Sequence, residues 1–120
     1  MGKGAYLNGI NNSIQTVQQF EFISGTCMNA TGTPGDDLAA PGEAFEQQYI
    51  EAKSSGACAS KNSTAEFYVN QLDPETGDFN YYGSFILVEA RNSWSLQSSS
   101  DNVKVAITSG EQFGIYVTVS

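Results

Sequence analysis

The chain has 120 residues and a formal net charge of −8, with 40% hydrophobic and 15% charged residues. That length fits one domain, 1–120, with one modest core; the composition is too apolar for a disordered chain, and no apolar run approaches the roughly 20 residues that a membrane helix needs. Five Lys and Arg cannot neutralise a phosphate track, so nucleic acid is excluded as a partner, and simple Coulombic attraction to an anionic membrane is unfavourable.

Strand formers dominate, with six Tyr and seven Phe beside many Val, Ile and Thr, while twelve Gly supply turns. The first predicted strand is Ala5 to Ile10. Asn11-Asn12-Ser13 is a turn, and a second strand follows over about Ile14 to Ile23, with Phe20 and Phe22 on one face. Ser24 to Gly42 is expected to be a long connection punctuated by Gly25, Gly32, Pro34-Gly35 and Pro41-Gly42. Ala44 to Ala52 is the next strand, with Phe45 and Tyr49 on one face. Ser54 to Asn62 is a small-residue loop, and Thr64 to Leu72 alternates as a strand.

Asp73-Pro74-Glu75-Thr76-Gly77-Asp78 is a turn: Pro pre-sets one dihedral and Gly supplies positive φ. Its acids resemble a calcium loop only loosely, and solvated acids in a hairpin are the preferred reading. Asp36-Asp37 with Glu43 is a similarly weak cation candidate, since acids in a long loop usually face water. Phe79 to Arg91 follows as a strand with a candidate bulge at Gly83, then a short strand Asn92 to Leu96 and a polar loop Ser98 to Asn102. Val103 to Thr108 and Phe113 to Val119 alternate around a Ser109-Gly110-Glu111 turn as a hairpin. About seven or eight strands define the expected fold, an all-β, two-sheet, mainly antiparallel β-sandwich.

The chemistry points to binding. The chain has no His, which removes the commonest general base and transition-metal ligand, and no carboxylate pair is selected by spacing. The expectation is a non-enzyme without cofactor or resident metal. Tyr81, Tyr82 and Trp94 are the candidate ligand-binding residues, because such rings join an apolar body to a polar tip that suits sugar faces, headgroups and protein hot spots; core packing is the competing reading. Cys27 and Cys58 are a candidate disulfide, with two buried thiols as the alternative. Asn11-Asn12-Ser13, Asn29-Ala30-Thr31 and Asn62-Ser63-Thr64 match the N-glycosylation pattern.

The order of landmarks resembles the aegerolysin family of small acidic β-sandwich proteins. It includes the strand ending Ile10-Asn11-Asn12-Ser13, the Pro41-Gly42-Glu43-Ala44-Phe45 entry to a strand, and the Ser54 to Ser63 loop before Thr64 to Val69. The aromatic strand Phe79-Asn80-Tyr81-Tyr82 and the terminal Gly114-Ile115-Tyr116-Val117-Thr118-Val119 complete it. The resemblance implies membrane-lipid recognition, as a cytolysin or toxin component. The alternatives are a lectin-like carbohydrate-binding module and a secreted structural or interaction protein. The expected partner is a membrane lipid or a glycan, with a protein partner or self-assembly as further options. The expected location is secreted or extracellular; Met1-Gly2-Lys3-Gly4 runs straight into strand-forming sequence, so export would need a leader replaced by the start codon or a leaderless route.

Overall fold

The structure, a computed structural model, describes residues 3–32, 38–109 and 113–120. Its strands are β1 (Gly4–Asn11), β2 (Gln18–Thr26), β3 (Met28–Thr31), β4 (Leu38–Ala39), β5 (Gln48–Ala52), β6 (Ser63–Leu72), β7 (Phe79–Ala90), β8 (Ser93–Ser99), β9 (Val103–Thr108) and β10 (Phe113–Val119). They form two five-stranded sheets, ordered β3-β5-β1-β10-β9 (sheet A) and β4-β2-β6-β7-β8 (sheet B). All ladders are antiparallel except β1 with β10, which run parallel at the centre of sheet A.

The expected β-sandwich is therefore present, with more strands among the described residues than the seven or eight the sequence suggests. The Ser24 to Gly42 stretch is not a plain connection: β2 continues to Thr26, and β3 and β4 follow. Cys27 between β2 and β3 takes a φ of 55°, so the chain turns sharply there and passes from sheet B to sheet A. The expected Ala44 strand is a lone bridge from Ala44 to Ile10 before β5 begins at Gln48. Arg91 and Asn92, expected within strands, have φ of 52° and 65° and form the two-residue turn between β7 and β8. Positive φ at both central residues matches the right-handed twist of a hairpin. Pro34-Gly35, Asp36-Asp37 and Gly110-Glu111 lie outside the described residues.

The core follows the period of two. Leu7, Ile50, Ile115 and Val117 of sheet A face Phe20, Phe67, Phe85 and Leu87 of sheet B, all buried. Phe20 stacks on Phe45 with centroids 4.0 Å apart, and Phe67 stacks on Phe85 at 5.2 Å. Each ring also buries a large apolar area, so this layer supplies much of the stabilising free energy. The bulge expected at Gly83 is found: Val69 pairs with Gly83 and Asn70 with Tyr81, leaving Tyr82 as the extra residue of β7. Gly83 itself is packed so closely that a Cβ there would lie 2.7 Å from Asn102 Oδ1 and 2.8 Å from Val103 Cγ2.

Candidate functional site

One end of the sandwich is built from the β1–β2 turn, the β6–β7 turn and the first residues of β7. Asn11 anchors it. Its Nδ2 donates to the carbonyls of Thr16 and Ala39, both at 2.9 Å, and its Oδ1 accepts the Ser13 amide at 3.0 Å. Ser13 Oγ then accepts the Gln15 amide at 3.1 Å. These local bonds fix a tight turn, and the turn carries Ile14 outward to 94% exposure. Asn11 is fully buried, so its glycosylation pattern cannot be used in the folded chain. Asn29 and Asn62 are exposed.

The far side of this turn borders a depression of about 380 Å³ lined by residues that include Gln15, Gln71, Asp73, Asn80, Tyr81 and Tyr82. Consecutive strand residues ordinarily point to opposite faces. Tyr81 and Tyr82 keep that alternation, Tyr81 lying outward against Tyr68 and Tyr82 inward against the core, and both border the depression because they start β7 next to the β6–β7 turn. A relay of amides orders the opposite wall: Gln18 Nε2 donates to Gln71 Oε1 at 3.1 Å, and Gln71 Nε2 donates to Gln15 Oε1 at 2.6 Å. Gln15, exposed at the end of the relay, has its oxygen occupied by the Gln71 amide.

The two tyrosines are not equivalent. Tyr82 is half-buried against the core and its hydroxyl donates to the Ser120 carbonyl at 2.6 Å. Tyr81 is 58% exposed, with its ring edge-on to Tyr68 at 4.8 Å. Its hydroxyl lies 3.3 Å from Ser84 Oγ and 3.5 Å from Ser100 Oγ. Hydrogen bonding with Ser100 and then Ser84 holds the Tyr81 phenol below its usual pKa. Tyr81 thus offers an immobilised ring face, and Tyr82 a wall.

Trp94 does not join them. It is 4% exposed, belongs to the core cluster, and its indole N–H donates to the Lys3 carbonyl at 3.2 Å. It pairs with Glu89, far along β7 from Tyr82; seven residues of strand separate the two positions by roughly 23 Å. The core reading is the right one for this residue, because its position on β8 faces inward.

Cys27 and Cys58 form a disulfide. Cys58 ends a short 3-10 turn (Gly56–Cys58) between β5 and β6, so the bridge links two places where the chain crosses between sheets. The Asp73 to Asp78 segment is a closed hairpin turn. The Asp73 amide donates to Asp78 O and the Gly77 amide to Asp73 O, both at 2.8 Å, with Gly77 at φ 79°. Asp73 Oδ1 accepts the Glu75 amide at 2.9 Å. Among the described residues no group of three or more His, Cys, Asp or Glu is placed to hold a metal ion.

Two features escape the sequence reading. Ile14 sits in a polar Asn-Ser-Ile-Gln context where a lone apolar residue at a turn is the available signal. Tyr6, Tyr49 and Tyr116 all stand exposed on the outer face of sheet A. Strict alternation with Ala5, Leu7, Ile50, Ile115 and Val117 could have placed them there. No protein-family model, no curated protein and no solved structure matches this chain.

Proposed function

We propose that the protein binds a membrane surface by seating a neutral, hydrogen-bonding lipid headgroup in the depression between Tyr81–Tyr82 and Gln15–Asp73. The observation that carries this reading is Ile14, almost wholly exposed at the tip of the turn that lines the depression. An isolated exposed Ile is ordinary on a surface. One held out on a rigid turn, beside amide donors and an immobilised tyrosine, has the layout of an apolar tip flanking a headgroup site. A net charge of −8 argues for a zwitterionic or neutral headgroup. The aegerolysin-like order of landmarks supports the same ligand class, and the Cys27–Cys58 bridge supports an oxidising, extracellular setting.

Vesicle co-sedimentation with sphingolipid, sterol and phosphatidylethanolamine mixtures tests the proposal. Binding should persist in high salt, because little of it is Coulombic. Ile14→Asp should weaken it without unfolding the chain. Burying an Ile side chain contributes about 1.5–3 kcal/mol, so the loss should be roughly tenfold to a hundredfold in affinity. Tyr81→Ser should weaken binding through the headgroup site. Absence of binding to every mixture, or binding indifferent to Ile14→Asp, would reject this reading.

A further inference from the structure

The outer face of sheet A carries an aromatic surface that the lipid reading does not use. Tyr49 on β5, Tyr6 on β1 and Tyr116 on β10 occupy three neighbouring strands. With strands about 4.8 Å apart, the array spans on the order of 10 Å. Two glycines determine how the rings lie. A Cβ at Gly114 would sit 2.7 Å from Tyr116 Cε2 and 2.9 Å from its hydroxyl, and a Cβ at Gly4 would collide with the Tyr49 ring. Both rings therefore fold down over bare backbone and leave a face toward water. Covering a glycine with an aromatic ring stabilises a sheet, yet Tyr6 covers none of the described glycines, so that role does not account for three exposed rings on one face.

The rings are held in place and surrounded by amides. Tyr49 donates its hydroxyl to Glu51 Oε1 at 2.7 Å, and Asn29 Nδ2 donates to Glu51 Oε2 at 3.1 Å. Tyr6 leans on Tyr49 with centroids 5.4 Å apart. Gln47 Nε2 donates at 2.9 Å to Oδ1 of Asn8, the residue opposite Tyr116 in the β1–β10 ladder. Open depressions flank the array, one of about 540 Å³ beside Tyr49 and one of about 200 Å³ beside Tyr116. Of the outward residues on β1, β5, β9 and β10, Glu51 and Lys104 carry charge and offset one another, although the chain as a whole is strongly acidic.

We infer that this face is a second binding site, for a neutral, linear glycan whose pyranose rings expose apolar C–H faces. Fixed aromatic faces take the C–H surface of the sugar, and the neighbouring Asn and Gln amides supply both donors and acceptors for its hydroxyls. A charge-balanced face suits an uncharged chain and disfavours acidic polysaccharide. The depressions at either end allow the chain to continue past the central rings.

The test uses the hexasaccharides of chitin and of β-1,4-glucan as probes in isothermal titration calorimetry with the intact protein. Binding by the wild type is expected. Tyr6→Ala and Tyr116→Ala should each weaken it about tenfold, the scale of one stacked ring. Tyr116→Phe, which keeps the ring, should retain most of it. Ile14→Asp and Tyr81→Ser should leave glycan binding unchanged, which separates this site from the lipid reading. Should the alanine variants fail to fold, backbone amide shifts during titration of the wild type decide the matter. Shifts centred on Gly4, Asn8 and Gly114 support the site. Shifts centred on Asn80 to Tyr82, or no binding of either hexasaccharide, overturn it.

Discussion

The disulfide invites the most quantitative test. Cys27 lies where the chain leaves sheet B for sheet A, and Cys58 lies where it returns from β5 to β6. The two positions are 31 residues apart. Chain-entropy bookkeeping for a loop of that length gives about 3.7 kcal/mol of stabilisation through the unfolded state. A chain of 120 residues unfolds with an entropy of about 0.25 kcal/mol/K, so the double variant Cys27→Ala/Cys58→Ala should melt about 15 °C lower. Cys27 also has a φ of 55°, where a Cβ costs about 1 kcal/mol or more. Cys27→Gly/Cys58→Ala should therefore recover about 4 °C relative to the double-alanine form. Differential scanning calorimetry on the three proteins reads both numbers. A loss below about 4 °C would refute the entropic account. It would mean that the bonds to the Cys27 carbonyl, from the Lys53 amide and Ser63 Oγ at 2.7 Å each, hold the crossover without the bridge.

Two further outcomes follow from the aromatic environments. Trp94→Ala should cost about 3–5 kcal/mol of stability, since a buried ring and its bond to the Lys3 carbonyl are lost; the folded fraction should bind vesicles as the wild type does, and a binding defect in stably folded Trp94→Ala would contradict the site assignment. In a tyrosine-selective NMR titration Tyr81 should ionise below the ordinary value near 10 and Tyr49 above it, because serine hydroxyls favour the Tyr81 phenolate while the bond to Glu51 favours the neutral Tyr49 phenol. The raised Tyr49 value stabilises the fold below pH 10 and loses that contribution as pH rises through its folded pKa; the lowered Glu51 value, caused by the Tyr49 and then the Asn29 hydrogen bonds, stabilises above the ordinary carboxyl range and is lost as pH falls through its folded pKa. Glu51→Gln should return Tyr49 toward 10, and an unshifted Tyr49 in the wild type would contradict the hydrogen-bond geometry.

The fold was legible where hydrophobic alternation is uninterrupted. Val103 to Thr108 and Phe113 to Val119 form β9 and β10 as read, and Thr64 to Leu72 lies within β6. Legibility failed at short strands stabilised by tertiary pairing. β3 and β4 hold four and two residues, too few for any period to show, and they exist because β5 and β2 offer open edges to pair with. The Arg91-Asn92 turn was missed for a related reason: its dihedrals are imposed by the hairpin, and Arg is not a residue that announces positive φ.

The candidate site was legible in part, and the division has one cause. Tyr81 and Tyr82 point to opposite faces of β7 and both border the depression because they lie at its start, beside the β6–β7 turn that the Asp73-to-Asp78 segment marks in the sequence. Trp94 was grouped with them on chemical type alone. Residue type says what a ring can do, but strand parity decides whether it can reach a ligand. At Trp94 the inward parity belongs to an edge strand whose other positions are mostly exposed, so neighbouring residues give little pattern to read. At Tyr6, Tyr49 and Tyr116 the outward parity is plain, set between buried Ala5 and Leu7, Gln48 and Ile50, Ile115 and Val117. What the sequence does not show is that β5, β1 and β10 lie side by side. The parallel pairing of the first and last strands brings Tyr6 and Tyr116 onto one surface across more than a hundred residues of chain. Any glycan-binding property of that face would therefore be created by topology, and it would be lost in a chain that kept every tyrosine but paired β1 elsewhere.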